Sequence, residues 1–198
     1  MSKEKELEEL VRRFLIIIGE NPDREGLKET PKRVARMWLN ELTLGYRVNP
    51  KDYVKVFEVD EYLRYGDMVI VQDVPVRSMC EHHLLPFFGY AHIAYIPNDK
   101  VLGFSKFARI IEVYSKKLQL QERLTQEVAD FLVETLNPKG LLLMIEAIHT
   151  CALIRGVEEP MFMITLASRG VFREKPELIN EALSIIKSKL ADLKKLST

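Results

Sequence analysis

The chain has 198 residues, 47% of them hydrophobic, and its 29 lysines and arginines are balanced by 29 aspartates and glutamates. This length and apolar content are enough for one globular domain with a substantial core. The balanced charge gives no global basic field, which argues against nucleic acid or an acidic membrane surface as a partner. Any partner must therefore be recognised by local groups.

The N-terminal stretch and the cysteine content predict a cytoplasmic location. Charges of both signs alternate through residues 1–18, unlike the order of a secretory signal. No apolar run approaches the roughly 20 residues that span a bilayer, so we expect no membrane partner. In a reducing cytoplasm the two cysteines stay as thiols, and a metal-binding or catalytic role outranks a disulfide.

Two helices are predicted in the first part of the chain. Apolar residues recur at intervals of three and four through residues 7–18, and a glycine follows, which predicts an amphipathic helix that ends there. Thr30 is the predicted N-cap of a second helix, with Pro31 at its first position. We assign residues 1–50 to an N-terminal helical extension and residues 51–198 to the main domain.

The main domain is predicted to contain strands in adjacent pairs, with two consecutive helices between the pairs. β-branched and aromatic residues predict four strands, which lie in VIVQDVPV, YAHIAYIP, LLLMIEAIHTCALI and MFMITLAS. Helical spacing predicts one helix through residues 107–118, another from about Gln121 and a last one from about Pro176. This order predicts an α+β fold, with a mainly antiparallel sheet and paired helices on one face, rather than alternating βαβ units.

Both cysteines and one histidine form a candidate metal site. Cys80 and His83 have the spacing at which a thiolate and an imidazole converge on one ion, and Cys151 lies in a later predicted strand. Three protein ligands favour a catalytic zinc ion with an open position for water over a closed structural site. Two alternatives stay open, because buried cysteines are often only small hydrophobic residues and a Cys80–Cys151 disulfide is conceivable.

The strand predicted around Cys151 adds further candidates. Strict alternation would put His149, Cys151 and Arg155 on one face, with His149 roughly 7 Å and Arg155 roughly 13 Å from the metal ligand. A histidine beside a metal-activated water suits general acid–base catalysis, because its pKa lies near neutrality. His82 is a second candidate. The alternative for both histidines is an ordinary hydrogen-bonded interior side chain.

Two helix starts carry groups suited to a nucleotide. Ser105 is predicted to cap a helix whose first turn carries Lys106 and Arg109, which is an arrangement that can bind phosphate. Gln121 and Glu122 open the next helix, and the Glu122 carboxylate can accept paired hydrogen bonds from N1–H and N2–H₂ of guanine. Chance surface charge and ordinary helix-start acidity are the respective alternatives.

Several separate stretches resemble the GTP cyclohydrolase I family. They occur in the expected order over about residues 19–157, with GVFRE near Gly170 as a weaker match. The four stretches are GENPDREGLKETPKRVARMW, RSMCEHHLLPFFG, VLGFSKFARIIEVYSKKLQLQERLTQEV and EAIHTCALIRGV. The resemblance implies an enzyme that hydrolyses GTP at C8 of guanine, releases formate and forms 7,8-dihydroneopterin 3′-triphosphate, the first step of folate and pterin biosynthesis.

By position, the resemblance implies a role for each candidate of the reaction centre. Cys80, His83 and Cys151 would bind Zn²⁺, with an activated water in the open position. His149 and His82 would manage protons, with His149 at the imidazole portion of guanine. The opened intermediate would then rearrange at the ribose and reclose as a pterin.

The resemblance also implies substrate contacts, a fold and an assembly. Gln121 and Glu122 would hold the guanine edge. The triphosphate would be held by Ser105, Lys106, Arg109 and Arg155, together with Arg33 and Arg36 from a neighbouring subunit. The family has the T-fold, in which subunit sheets join into a barrel, and assembles as a homodecamer with active sites at subunit interfaces.

One departure from the family pattern lies in the segment EEPMFMITLASRG, which is about one residue shorter than expected and lacks a Ser/Thr-rich strand. Its packing and pairing register are therefore open, whereas the named catalytic positions are expected to be unaffected. Two rival functions are also open: a related T-fold enzyme with another metal or purine-like substrate, and a non-catalytic zinc-binding scaffold that oligomerises.

Overall fold

The computed structural model describes residues 1–59 and 67–195. In that part of the chain the α-helices are α1 (Lys3–Ile17), α2 (Thr30–Met37), α3 (Phe104–Ser115), α4 (Gln121–Leu136), α5 (Thr150–Leu153), α6 (Val171–Glu174) and α7 (Pro176–Lys195). The strands are β1 (Val56–Glu58), β2 (Val69–Cys80), β3 (Pro86–Ile96), β4 (Lys100–Leu102), β5 (Leu118–Gln119), β6 (Gly140–His149) and β7 (Phe162–Gly170). Within these ranges, no helix combines the length and the apolar content needed to cross a bilayer.

The N-terminal helices α1 and α2 pack against each other, and both were predicted. Helix α1 ends just before Gly19, whose φ of +92° suits a glycine. The predicted start of α2 was one residue late. The Glu29 carbonyl already accepts the Arg33 N–H at 3.0 Å, so Glu29 is the N-cap and Thr30 lies inside the helix.

A five-stranded sheet forms the centre of the main domain, in the order β5-β2-β3-β6-β7. Pairing is antiparallel between β2 and β3, β3 and β6, and β6 and β7, whereas β5 runs parallel to β2. A separate antiparallel pair joins β1 to β4. The structure therefore confirms the predicted α+β class with a mainly antiparallel sheet.

One face of the sheet packs against α3 and α4. This agrees with the prediction of paired helices on one face. Alternate residues of β3 and β6 point to this side, and Phe87, Ile93 and Ile145 are completely buried there against helix residues such as Ile110 and Leu124. The main hydrophobic core therefore lies between the helices and one face of the sheet.

The opposite face is covered at one end only. Ala94 and Leu142, which alternate with the main-core residues, pack against Phe172 of α6 and Ala182 of α7. Towards the other end this face stays exposed, with Phe162 and Ile164 of β7 more than half exposed. The final helix was predicted, but its position on the face opposite to α3 and α4 was not.

Strand β6 ends earlier than the sequence pattern predicts. The strand stops at His149, and the chain turns into α5, where the Ile154 N–H donates to the Thr150 carbonyl at 3.0 Å. The Thr150 hydroxyl donates to the Pro86 carbonyl at 2.6 Å, which fixes the turn to the start of β3. Apolar residues in the segment after His149 therefore belong to a helical turn and not to a continued strand.

Candidate metal centre and active site

The turn between β2 and β3 brings the first two metal-ligand candidates together. Cys80 is the last residue of β2, and its carbonyl accepts the Leu84 N–H at 2.9 Å, while its own N–H donates to the Leu85 carbonyl at 2.9 Å. Leu84 takes a positive φ of 55° to close the turn. As a result, the Cys80 Sγ lies 3.9 Å from the His83 Nδ1.

Helix α5 supplies the third candidate ligand. The sulfurs of Cys80 and Cys151 and a ring nitrogen of His83 all lie within 4.8 Å of one another, and no other such group occurs among the described residues. Donor atoms on one tetrahedral zinc ion stand roughly 3.5 Å apart, so a small contraction would complete the site. Two soft sulfurs and one imidazole are the ligand chemistry that zinc prefers.

The secondary structure predicted for Cys151 was wrong. Cys151 does not alternate with His149 along a strand, because β6 ends at His149 and Cys151 lies in the helical turn α5. The spacings inferred from a regular strand therefore do not apply. Burial and the neighbouring Cys80 thiol raise the pKa of Cys151, while the positive charge of Arg155 lowers it by a smaller amount.

His149 is held beside the cluster by an aromatic ring and an amide. Its imidazole stacks on Phe87, with ring centroids 4.6 Å apart and planes inclined by only 6°. Its Nε2 lies 2.9 Å from the Gln121 Oε1. Burial lowers the pKa of His149, and the negative charge of Glu122 opposes that shift, so His149 lies within the field of the first turn of α4.

The environment of Gln121 decides which imidazole nitrogen carries the proton. Its side-chain Nε2 faces three acceptors, the Ile145 and Met163 carbonyls at 3.0 and 2.9 Å and the Thr165 hydroxyl at 3.2 Å. The amide therefore points its nitrogen at these groups and its oxygen at His149. Because an amide oxygen only accepts, the His149 Nε2 must donate, which leaves Nδ1 as the basic nitrogen of the neutral ring.

Strand β7 reaches the site through Thr165. Its hydroxyl contacts both the Gln121 amide and the Thr125 hydroxyl, the latter at 2.7 Å. The pairing of β7 with β6 runs without a shift from Ile148↔Phe162 to Gly140↔Gly170, which answers the open question about register. That the shorter segment leaves the named catalytic positions unaffected stays a prediction. The strand does contact Gln121, whose side chain orients His149.

Sequence reasoning missed two contributors to this environment, Phe87 and Thr165. Thr165 alternates with the buried Ala167 on the helix-facing side of β7, and a hydroxyl on a core-facing position is a signal that a buried polar partner exists. Phe87 carries no comparable signal. Its contact with His149 follows from the pairing of these two residues across β3 and β6.

Comparison with known proteins places this arrangement in a family. The family model for GTP cyclohydrolase I matches residues 7–187. The chain belongs to the GTP cyclohydrolase I family. It is 49% identical to GTP cyclohydrolase 1 of Caldanaerobacter subterraneus subsp. tengcongensis over 96% of this chain and 99% of that one. It is 50% identical to GTP cyclohydrolase 1 of Carboxydothermus hydrogenoformans over 94% of this chain and 95% of that one.

Among solved structures, the archaeosine synthase QueF-Like in the apo form is similar to this GTP cyclohydrolase I family member over 52% of this chain and 93% of that one. The sequence identity is 17% and the TM-score is 0.43.

The phosphate-binding candidates of this GTP cyclohydrolase I family chain lie on the first turn of α3. The predicted cap was wrong, because Gly103 is the N-cap and accepts the Lys106 N–H at 2.8 Å, so Ser105 is the second residue of the helix. Ser105 and Arg109 are exposed, and Arg109 pairs with Glu112 at 3.1 Å. Among the described residues, Ser105, Lys106 and Arg109 form no hydrogen bond or ion pair with the metal-ligand candidates.

Arg33 and Arg36 lie on α2 in the N-terminal hairpin. Arg36 is engaged within the chain, where its Nε donates to Glu4 of α1 at 2.8 Å. The hairpin connects to the main domain at Gly45, whose N–H donates to the Lys116 carbonyl at 2.8 Å. A Cβ at position 45 would lie 2.1 Å from the Val113 carbonyl oxygen, so only glycine allows this close approach to the end of α3.

The remaining named residues, Glu122, His82 and Arg155, are exposed. Glu122 is exposed on the first turn of α4, next to the buried Gln121. His82 is exposed in the β2–β3 turn, with its ring edge-on to that of His83 at a centroid distance of 6.1 Å. The chain thus brings together the metal-ligand candidates, His149 and the start of α4, and leaves Glu122 and His82 open to a ligand.

Proposed function

We propose that this chain is a zinc-dependent GTP cyclohydrolase, which hydrolyses GTP at C8 of guanine, releases formate and forms 7,8-dihydroneopterin 3′-triphosphate, the first step of folate and pterin biosynthesis. The observation that carries the proposal is the convergence of Cys80, His83 and Cys151 within 4.8 Å. Membership of the GTP cyclohydrolase I family supports GTP as the substrate. The imidazole of His149, which is held by Gln121 and Phe87, supports acid–base catalysis.

Cys80, His83 and Cys151 would hold Zn²⁺ as two thiolates and one imidazole. Bound there, Zn²⁺ supplies a Lewis acid and an activated water for attack on C8. The raised pKa of Cys151 disfavours its thiolate in the metal-free chain, and a cation between the sulfurs would reverse that effect. The reduced thiols that such binding needs fit a cytoplasmic location.

His149 is proposed to move the proton at the imidazole portion of guanine. Its Nε2–H is held by Gln121, so Nδ1 is the nitrogen that can accept a proton and return it to the departing nitrogen of the opened ring. Stacking on Phe87 fixes the plane of the ring. His82, which is exposed nearby, is proposed to assist in the later proton transfers of ribose rearrangement and ring closure.

Glu122 is proposed to recognise guanine by accepting paired hydrogen bonds from N1–H and N2–H₂. Its position beside Gln121 at the start of α4 supports this role, because a carboxylate with two acceptor oxygens matches two adjacent donors. The Gln121 side chain is completely buried and already bonded within the chain. We therefore propose that Gln121 serves the guanine site by holding His149 and the first turn of α4.

The triphosphate is proposed to be held by cations and a hydroxyl from separate segments. The exposed Arg109–Glu112 ion pair has a favourable free energy of about 0–1 kcal/mol, so Arg109 can exchange this partner for phosphate at little cost. The Arg36–Glu4 pair is also exposed, so Arg36 can likewise exchange Glu4 for phosphate. The full proposed set is Ser105, Lys106, Arg109, Arg155, Arg33 and Arg36, the last two from a neighbouring subunit.

A homo-oligomer with active sites at subunit interfaces, a decamer by family resemblance, is the proposed working form. The nine-residue strand β7 ends the sheet without a further paired strand in the described part of the chain. An unpaired strand with exposed apolar residues is a ready template for a second chain. This edge therefore supports the joining of subunit sheets into a T-fold barrel.

Formate release from GTP, measured with and without a zinc chelator, tests the proposal. We expect release by the untreated protein, its loss after chelation, and its recovery when Zn²⁺ but not Mg²⁺ is restored, because sulfur ligands favour zinc. Formate release that persists at full rate in the metal-free protein would contradict the proposal. So would a zinc-loaded protein that releases no formate from GTP.

A further inference from the structure

The salt bridge between Glu81 and Arg123 joins the two parts of the proposed active site. Glu81 directly follows the ligand candidate Cys80 in the β2–β3 turn, and Arg123 directly follows Glu122 on the first turn of α4. The Arg123 Nη2 donates to the Glu81 carboxylate. The two segments are 42 residues apart in sequence, so this contact is a tertiary link and not a feature of one element.

Arg123 contacts two further acceptors besides Glu81. Its Nε donates to the Gln119 Oε1 at 2.9 Å, and its Nη2 also donates to the Leu118 carbonyl at 3.0 Å. Both acceptors belong to β5, the short strand that pairs with the end of β2 at Cys80↔Gln119. The guanidinium is thus fixed by β5 before it reaches Glu81.

Gln119 is itself held in place. It is almost completely buried, and its Nε2 donates to the Glu127 carboxylate at 2.9 Å and to the Tyr114 carbonyl at 3.1 Å. Its carbonyl accepts the Glu81 N–H at 3.1 Å. Backbone and side chain of Glu81 are therefore both attached to the same strand and helix start.

We propose that Arg123 is a positioning residue, which fixes the metal-binding turn relative to the start of α4 by binding Glu81 and β5. The inference rests on the proposed zinc site and adds a residue that touches neither metal nor GTP. Without Arg123, the turn that carries Cys80 and His83 keeps its backbone bonds but loses its side-chain attachment to the helix of Gln121 and Glu122. The ligands are then free to sample arrangements that do not fit one ion.

The same geometry predicts a small effect on stability when only the ion pair is removed, as in Glu81→Gln. Arg123→Ala costs more stability, because it also removes the N–H donor to the buried Gln119 oxygen. The side chains of Arg123 and Glu81 are 42% and 29% exposed, and ion pairs with this much solvent contact contribute little to folding. By contrast, groups that orient metal ligands typically change metal affinity by about 10-fold to 100-fold when they are removed. Metal affinity and thermal stability should therefore respond differently to the same substitution.

Arg169 offers a matched control. It binds the same helix α4 two turns later, where its Nε and Nη2 contact Asp130 at 2.8 Å and 2.7 Å and its Nη2 contacts Gln126 at 2.7 Å. It has no contact with the β2–β3 turn among the described residues. Arg169→Ala thus removes an arginine bridge of similar chemistry from α4 without touching the metal-binding turn.

The experiment is a competition titration of zinc against a chromophoric chelator, with the apo-protein melting temperature and the visible spectrum of the Co²⁺-loaded protein as further readouts. Arg123→Ala is expected to bind zinc about 10-fold to 100-fold more weakly and to change the cobalt spectrum. Arg123→Lys keeps the positive charge on a single nitrogen and loses the planar guanidinium, so its zinc affinity should lie between those of Arg123→Ala and the wild type. The zinc affinity of Arg169→Ala should match that of the wild type. If Arg123→Ala does not fold, Glu81→Gln removes the same ion pair with an isosteric side chain and should shift affinity in the same direction.

Zinc affinity within twofold of wild type in both Arg123→Ala and Glu81→Gln would overturn the inference and leave the zinc site intact. An equal loss in Arg169→Ala would overturn it as well, since the effect would then be one of general stability. A wild-type chain that binds no zinc would instead overturn the proposed function, and this inference with it.

Discussion

His149 lies where strand β6, helix α4 and the ring of Phe87 meet. Stacking fixes the plane of the imidazole, and the Gln121 oxygen fixes the nitrogen that carries the proton. Neither group competes for Nδ1. A residue that must exchange protons with a substrate needs such a fixed orientation, because proton transfer requires a heavy-atom distance of about 3 Å in a defined direction.

Substitution of His149 by alanine tests this role. His149→Ala removes the proton-transfer group but none of the proposed ligands, so we expect full zinc content with formate release reduced by about 10² to 10⁴. Zinc per chain and formate per minute are measured on the same preparation. Release at the wild-type rate would rule out His149 as the acid–base group, and loss of zinc would show that the residue is needed for the site to form.

At the level of elements, the proposed active site depends on contacts between α4, β6 and β7. Gln121 begins α4, yet its amide bonds to the Ile145 carbonyl of β6 and to Met163 and Thr165 of β7. Thr125, one turn along α4, adds a second link to Thr165. The orientation of His149 is therefore set by an edge strand that carries no proposed ligand or substrate contact.

Thr165→Val tests this link with a nearly isosteric change. Loss of the hydroxyl leaves the Gln121 amide and Thr125 with fewer partners, so we expect about 0.5–1.5 kcal/mol of lost stability and a lower kcat at unchanged zinc content. Thr43→Val is the control, because the Thr43 hydroxyl donates to the Trp38 carbonyl at 2.6 Å in the N-terminal extension. The control should lose comparable stability but no kcat. Equal kcat values for the two variants would argue against the link.

Elements with strong local signals were predictable from the sequence, and those set by tertiary contacts were not. Periodicity sufficed for α1 and α4, and β-branched runs sufficed for β2, β3, β6 and β7. Strand β5 was missed, because Leu118 fits the spacing of the preceding helix. The end of β6 was missed because the apolar residues after His149 fit a strand equally well, and the Thr150 contact with Pro86 is invisible in sequence. The burial of Gln121 was missed for the same reason, since its acceptors come from two distant strands.

For the metal-ligand candidates, the residues were predictable from the sequence, but the local structure around Cys151 was not. Their identity was predictable because the chain has only two cysteines and four histidines. Their convergence within 4.8 Å agrees with the prediction, although the helical turn that delivers Cys151 was not foreseen. The small number of cysteines and histidines made the candidate ligands identifiable from the sequence. The path of the backbone that brings them together came only from the structure.

At the level of the whole molecule, the sheet has one open face and one open edge. Phe88 and Tyr90 of β3 and Ile164 and Leu166 of β7 lie on the face opposite to the main core and are each about half exposed. They flank β6, which pairs with both strands and places the Glu146 side chain between Tyr90 and Ile164. Exposed apolar patches of this kind mark association surfaces, which supports the proposed homo-oligomer.

Ile164→Lys tests whether this surface joins subunits. A charge there should oppose association, so we expect a smaller species than wild type by light scattering, with the 23.0 kDa monomer as the limit, and reduced formate release. Ile185→Lys is the control, because Ile185 is 45% exposed but belongs to α7 and not to a strand of the sheet. An Ile164→Lys protein of wild-type mass would contradict assembly through β7.

The most direct test of the proposed zinc enzyme is to measure bound zinc and formate release from GTP together in Cys151→Ser. A serine hydroxyl keeps the shape of the side chain but is a poor zinc ligand, so the variant should contain little zinc and release little formate, whereas wild type should have both. A Cys151→Ser protein that stays zinc-replete and fully active would show that the Cys80–His83–Cys151 cluster is not the reaction centre.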